Sequence, residues 1–278
     1  MTTAVLCDVN RCIGCRGCQV ACKQWNEHDE FIPTKENAVK STNRGSYENP
    51  PQLFARTWTK IRFTELEYGG KLRWVFTKLQ CMHCEHPACA AACPVGALQK
   101  TPNGPVTYDD GKCIGCRYCM VACPFDIPTF EWDKPIPWIR KCTFCTTPGL
   151  NRLAQGWEPA CVKTCPTDAL QFGDREELLS QAKKRITASP GRYVNHIYGE
   201  NEVGGTSWLY ISPVPFDKLG FPKLGSQPVT VDAERAMGAV LPVLVGVAAT
   251  MSSIYWLIQR RQSMKALKQD SERKGENK

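Results

Sequence analysis

The sequence carries few of the parts from which a self-contained catalyst is built. It has four histidines in 278 residues, no Ser–His–Asp set, no P-loop and no dinucleotide-binding glycine motif. No substrate pocket is therefore expected. Two of the histidines, His83 and His86, lie in the stretch Cys-Met-His-Cys-Glu-His-Pro. The thiol count around them is already complete, so packing or hydrogen bonding is their expected role, not ligation. Met1 to Leu6 has neither a charged n-region nor an apolar h-region, and no cleavable signal peptide is expected in it. Long uncharged runs are scarce too; the informative one is Ala236–Ile258. A small disulfide scaffold is excluded by size, because a chain this long can bury a real core as one large or two small domains.

What the chain has is cysteine, in a repeated grammar. Sixteen of its seventeen cysteines fall into four groups of four. The first is Cys12, Cys15, Cys18 and Cys22; the third is Cys113, Cys116, Cys119 and Cys123, at the same x2–x2–x3 spacing. The second is Cys81, Cys84, Cys89 and Cys93, and the fourth is Cys142, Cys145, Cys161 and Cys165. Adjacent thiols on a tight Cys-x2-Cys turn converge on metal more readily than on each other. Three closely spaced thiolates followed by a fourth before proline is the bacterial ferredoxin run for a [4Fe–4S] cluster. Pro94, Pro124 and Pro166 follow the second, third and fourth runs, whereas Lys23 follows the first. Four such clusters in one chain make an electron wire. Cys7 stands outside the grammar and reads as a buried or free thiol. The competing reading is a zinc-binding structural or nucleic-acid module with four tetrahedral four-thiolate sites. The x2–x2–x3 runs and the Cys-Pro endings weigh against it.

The runs also repeat in order. Cys12–Cys22 and Cys113–Cys123 agree at nine of eleven positions, and Pro87–Leu98 and Pro159–Leu170 share Pro-Ala-Cys-x3-Cys-Pro-x2-Ala-Leu. In a two-cluster ferredoxin the last cysteine of each run crosses to the other cluster. The second and third runs are neighbours in sequence and make one pair, which leaves the first and fourth as the other. The expected sets are Cys12, Cys15, Cys18 with Cys165; Cys142, Cys145, Cys161 with Cys22; Cys81, Cys84, Cys89 with Cys123; and Cys113, Cys116, Cys119 with Cys93. Pairing the first run with the second and the third with the fourth is also topologically allowed; the preference for neighbouring elements to pack favours the nested arrangement. Gly14 and Gly115 suit tight turns whose N–H groups point at sulfur. Arg16, Arg117, Lys23, Lys141 and Lys163 lie beside the runs, where charge tunes potential; the plain alternative for each is a solvated residue.

Between the runs, Gln19–Glu27 reads as a short helix, and residues 32–55 as a polar, Pro-rich surface loop. Thr57–Lys78 alternates on either side of Tyr68-Gly69-Gly70 and reads as a β-hairpin. Its aromatic face suits either an ordinary core or a cover that keeps water from a cluster. Asp174 caps a helix running to about Ile186, Ser207–Ser212 reads as a strand, and Pro213–Pro228 as a linker. The fold class expected is α+β: two nested ferredoxin-like modules, each for two [4Fe–4S] clusters, with a β-hairpin insertion and one C-terminal transmembrane helix. The inner module covers about 78–131, and the outer one 1–77 with 132–230. A membrane segment at 231–259 and a basic tail at 260–278 follow. Ala236–Ile258 has 23 uncharged residues, about 34 Å of helix against a hydrocarbon core of about 30 Å. Pro242 and Gly246 are tolerable inside such a helix, and Tyr255 and Trp256 lie near its end, where the interface favours aromatics. The tail beyond Gln259 holds four of the eight net positive charges. The positive-inside rule then puts the C-terminus in the cytoplasm and the cluster body outside. Four oxidised clusters with their thiolates add about −8, so the charge balance is no argument for nucleic acid.

Over nearly its whole length the chain resembles the iron–sulfur (beta) subunit of membrane-bound respiratory formate dehydrogenases, within the electron-transfer subunits of molybdopterin oxidoreductases. The stretches that carry the resemblance are Cys12–Glu27 (CIGCRGCQVACKQWNE), Cys81–Pro94 (CMHCEHPACAAACP) and Glu158–Leu170 (EPACVKTCPTDAL). The Gly204-Gly205-Thr206 region and the late membrane span are similar as well. The resemblance implies a non-catalytic subunit with four [4Fe–4S] clusters. Its partners would be a catalytic subunit with a molybdenum or tungsten pterin that oxidises formate, and a membrane cytochrome b (gamma) subunit that passes electrons to quinone. A hydrogenase, or a reductase of sulfur, selenium or nitrogen oxyanions, uses a similar subunit. In a bacterium the cluster body would lie in the periplasm, anchored in the inner-membrane bilayer by a single pass. Because clusters are assembled in the cytoplasm, export would be as a folded unit with a partner bearing a twin-arginine signal.

Overall fold

The computed structural model describes residues 2–27, 47, 48 and 50–276, with the backbone alone for Asp232 and 266–276. Most of the expected loop at 32–55 therefore lies outside the described residues. The chain divides into two compact units, Met1–Thr230 and Val231–Lys278.

The first unit is organised around β1 (Thr3–Asp8), whose apolar middle, Ala4–Cys7, is buried on both faces. It pairs antiparallel with β8 (Leu170–Asp174) and parallel with β9 (Trp208–Ile211), giving the sheet order β8–β1–β9. Because side chains alternate along a strand, Val5 and Cys7 face one core with Phe144, Trp208 and Tyr210. Ala4 and Leu6 face a second core. That core is closed by α5 (Arg175–Ala188), through Leu178, Leu179 and Ala182. Asp174 starts α5 by accepting hydrogen bonds from the N–H groups of Glu176 at 2.9 Å and Glu177 at 3.3 Å. Cys7, the thiol outside the grammar, is buried in the middle of this sheet.

β2 (Lys60–Tyr68) and β3 (Lys71–Leu79) pair antiparallel across Gly69-Gly70, whose φ values of +63° and +69° are those a two-residue primed turn requires. Two short pairs follow: β4 (Leu98–Lys100) with β5 (Val106–Tyr108), and β6 (Thr129–Phe130) with β7 (Ile139–Arg140). The short helices are α1 (Gly17–Trp25), α2 (Ala88–Ala91), α3 (Tyr118–Ala122) and α4 (Ala160–Lys163). α1 packs on α4, and α2 packs on α3.

Two elements differ from the sequence expectation. α1 begins at Gly17, inside the first cysteine run, because Arg16 takes a left-handed backbone (φ +61°) that turns the chain directly into the helix. The segment Pro213–Pro228 is more than a linker: Val214, Phe216, Leu219 and Phe221 are buried, with Phe221 4.7 Å from the Tyr198 ring and 5.1 Å from that of Tyr210. Its prolines shape a segment whose aromatics are pinned to the sheet.

The second unit is one helix, α6 (Val231–Glu276), with Pro242 inside it. Its stretch Ala233–Lys265 is, by length and composition, long and apolar enough to cross a membrane. The basic segment from residue 260 continues this helix as far as Glu276.

Candidate metal centres

The duplicated sequence produces duplicated backbone. Gly14 and Arg16 in the first run have φ of +69° and +61°; Gly115 and Arg117 in the third have +69° and +65°. Each left-handed arginine leads straight into a helix, placing Cys18 and Cys22 on α1 and Cys119 on α3. In the second and fourth runs a proline, Pro87 or Pro159, precedes a four-residue helix that carries Cys89 or Cys161. Proline before the first turn suits a position whose N–H has no partner within the helix.

None of the seventeen cysteines forms a disulfide. Burial is the main influence on most of them, and the neighbours acting after it show which thiols lie together. Burial raises Cys12; the Gly14 N–H opposes it, and Cys165 and Cys15 raise it further. Cys12, Cys15, Cys18 and Cys165 also line one small pocket together. Burial holds Cys22 well above its usual range, reinforced by Cys142, Cys161 and Cys145. Cys84 is raised likewise, by burial and then by Cys81, Cys123 and Cys89. Cys119 is pushed up to about 11 by burial, then by Cys113, Cys116 and Cys93. Each neighbourhood joins members of one run to a thiol of another run.

Three further proximities link these neighbourhoods. Cys18, pushed up to about 12 by burial and lowered by Lys78, has Cys161 as its strongest thiol neighbour. Cys142, also pushed up to about 12 by burial and lowered by Lys78, has Cys81. Cys89, pushed up to about 12 by burial and then by Cys81, also feels Cys119.

The donors fit a multi-iron cluster. The sets hold thiols alone, and those of the first converge on one pocket. Backbone N–H groups are aimed at sulfur: Ala97 donates to Cys93 Sγ at 3.2 Å, Gly115 to Cys113 Sγ at 3.4 Å, and Phe144 to Cys142 Sγ at 3.4 Å. At Cys93 burial is outweighed by the N–H groups of Leu98, Ala97, Val95 and Gly96, so this thiol falls below its usual value. Such donors stabilise thiolate and tune a cluster held by it.

Aromatic side chains cover the turns in parallel fashion. A Cβ on Gly14 would meet the Phe76 ring at 3.0 Å, and Arg16 lies 5.0 Å over Phe63. On the third run, Phe130 lies against Gly115, with Arg117 5.6 Å over its ring and 5.2 Å over that of Trp132. After the first run, Trp25 Nε1 donates to Leu150 O at 2.8 Å, and Asn26 Nδ2 donates to Cys22 O at 2.8 Å. The Gln-Trp-Asn stretch thereby ties the first run to the fourth-run loop. The Gly204–Thr206 region ties to the second run, where Glu85 N donates to Gly205 O at 2.9 Å.

Of the flanking cations, Lys163 is 73 % exposed, whereas Lys141 is buried and its Nζ donates to Val106 O at 2.6 Å and Cys142 O at 3.1 Å. His83 is buried; its Nδ1 accepts from Val106 N at 2.9 Å, leaving Nε2 to carry the proton, with no acceptor among the described residues. Burial, then Lys141, Lys100 and Lys78, hold this imidazole well below its ordinary pKa, so it is neutral. His86 is exposed. The sequence reading passed over Lys78, a fully buried lysine at the end of β3. Burial pulls its ammonium pKa down, but Cys161, Cys18, Cys142 and Cys22 bring it above the ordinary value.

Two family models described as 4Fe-4S dicluster domain match residues 72–175 and 11–97. The nitrate-inducible formate dehydrogenase iron-sulfur subunit of Escherichia coli K12 is 43 % identical over 211 residues, 75 % of this chain and 67 % of that subunit. The chain belongs to the formate dehydrogenase iron–sulfur subunit family. A protein of Nitratidesulfovibrio vulgaris is 42 % identical over 95 % of this chain and 69 % of its own length. The Hydrogenase-2 operon protein HybA of Escherichia coli O157:H7 is 34 % identical over 87 % of this chain and 80 % of its own length. As a member of this iron–sulfur subunit family, the chain is an electron-transfer protein that holds 4Fe-4S clusters.

Proposed function

We propose that this chain is the four-cluster relay of a membrane-anchored formate dehydrogenase. It would take electrons from a molybdenum or tungsten pterin subunit and deliver them to a membrane cytochrome b and its quinone. What supports this reading best is that each group of run cysteines has a cysteine of another run beside it: Cys165 with Cys12, Cys15 and Cys18; Cys22 with Cys142, Cys145 and Cys161; Cys123 with Cys81, Cys84 and Cys89; and Cys93 with Cys113, Cys116 and Cys119. The packing of α1 on α4 and of α2 on α3 supports the nested pairing, with an inner module at about 78–131 inside an outer one. The ligand sets are then Cys12, Cys15, Cys18 and Cys165; Cys22, Cys142, Cys145 and Cys161; Cys81, Cys84, Cys89 and Cys123; and Cys93, Cys113, Cys116 and Cys119.

When bound, a [4Fe–4S] cluster supplies a one-electron carrier. The chain's own part is to hold it, aim N–H groups at its thiolates and exclude water from it. The proximities of Cys18 to Cys161, Cys142 to Cys81 and Cys89 to Cys119 support a linear order of sites: first run, fourth, second, third. In this reading residues 233–265 of α6 cross the inner-membrane bilayer once. The basic end lies in the cytoplasm and the cluster body in the periplasm, following the positive-inside bias. The complex is tested by gentle detergent purification followed by identification of its subunits. Co-purification of a pterin-bearing large subunit and a haem-bearing membrane subunit is expected; a partner with no pterin site overturns the assignment. The similarity to HybA favours a second reading, in which the same relay serves a hydrogenase. Formate-dependent against hydrogen-dependent reduction of the purified complex separates the two.

A further inference from the structure

Lys78 lies in the outer half of the thiol array, and its setting is unusual for a lysine. It is 2 % exposed. Its Nζ donates to Gln80 Oε1 at 2.9 Å and stands 4.2 Å over the Trp208 ring. Gln80 Nε2 donates to the Tyr210 hydroxyl at 2.6 Å, which donates in turn to Lys78 O at 3.0 Å. The ammonium is thus fixed by a closed set of neutral groups, and among the described residues no carboxylate pairs with it. A buried charge without a counter-charge is strongly disfavoured. The groups beside it that become anions on binding metal are cysteine thiols. Lys78 lines the pocket bounded by Cys12, Cys15, Cys18 and Cys165. The Trp208 ring beneath its Nζ lies 6.0 Å from that of Phe144, which stands between Cys142 and Cys145 in the fourth run.

We infer that Lys78 is a fixed positive charge shared by the first-run and fourth-run sites, a positioning residue that raises the reduction potential of both. The inference rests on the relay reading above. Reducing a site adds one negative charge, which a nearby cation stabilises, so the sign of the effect is upward. A unit charge about 10 Å away at an effective dielectric constant of about 20 changes such an equilibrium roughly tenfold. For one electron this is about 59 mV.

The test compares the detergent-purified native complex with its Lys78→Met and Lys78→Arg forms, by iron content and by EPR during redox titration. In Lys78→Met two of four one-electron steps should fall by about 59 mV, the tenfold change, while the other two stay in place. Lys78→Arg, which keeps the charge, should titrate close to the unmodified complex. Full iron with no shift, or with all four steps moving alike, overturns the inference. Should Lys78→Met lose iron, Gln80→Glu decides: it sets a carboxylate against the retained ammonium and should lower the same two steps. Unchanged potentials in that variant also overturn the inference. Failure of the four-cluster reading looks different, since the unmodified complex itself would then lack iron.

Discussion

Gly14 and Gly115 occupy the same place in the first and third cysteine runs, and both have φ of +69°. They form a matched pair in which backbone strain is constant and packing is not. Alanine at either position is forced into the left-handed region, at about 1–2 kcal/mol. A Cβ on Gly115 would come no closer than 3.7 Å to Phe130, an ordinary contact, whereas one on Gly14 would lie 3.0 Å from the Phe76 ring. Phe76 has little room to retreat, because Phe63 and Trp74 stand against it with centroids 5.0 and 5.2 Å away. Overpacking of that kind adds about 1–3 kcal/mol. Gly115→Ala should therefore lose about 1–2 kcal/mol and Gly14→Ala about 2–5 kcal/mol. The assay is the urea concentration at which the native complex loses its visible cluster absorbance. Adding Phe76→Leu to Gly14→Ala should recover the excess loss and leave the backbone part. Equal losses at the two glycines, or a larger one at Gly115, would refute the claim that the aromatic face of the hairpin presses on the first run.

Crossed ligation predicts that Cys93→Ala and Cys116→Ala damage the same site. Each should remove up to about a quarter of the iron, and the double variant no more than the worse single one; a loss near half would support pairing of the first run with the second and of the third with the fourth. Asp174→Ala removes the cap of α5 and should destabilise the first unit by about 1 kcal/mol, read as a lower urea midpoint with unchanged EPR signals. Val247→Arg, in the apolar part of α6, should impair insertion by about 2.5–3.5 kcal/mol. Less protein would then remain with membranes after carbonate washing, and unchanged retention would count against a membrane span.

Much of the candidate site is legible in the sequence because metal chemistry fixes cysteine spacing. Cys12 to Cys22 and Cys113 to Cys123 announce both their role and their duplication, and the hairpin declares itself through alternation around Gly69-Gly70. Lys78 does not declare itself, since a lysine in a strand ordinarily keeps its head in water. Its burial depends on Trp208 and Tyr210, more than a hundred residues away. Lys141 is hidden for the same reason: its partner, Val106 O, belongs to another strand pair. Pro213–Pro228 reads as a linker because its prolines dominate, and only the docking of Phe216 and Phe221 on Tyr198 makes it part of the core. The proposed succession of sites rests on neighbours from different runs, such as Cys142 and Cys81, which spacing within a run cannot encode.

The central claim is that sixteen thiols hold four [4Fe–4S] clusters. Iron and acid-labile sulfide per copy of this chain, measured together with low-temperature EPR of the reduced complex and corrected for its partners, test it most directly. The account predicts about sixteen irons and sixteen sulfides, with interacting one-electron signals. A colourless, EPR-silent chain with about four zinc ions would contradict it.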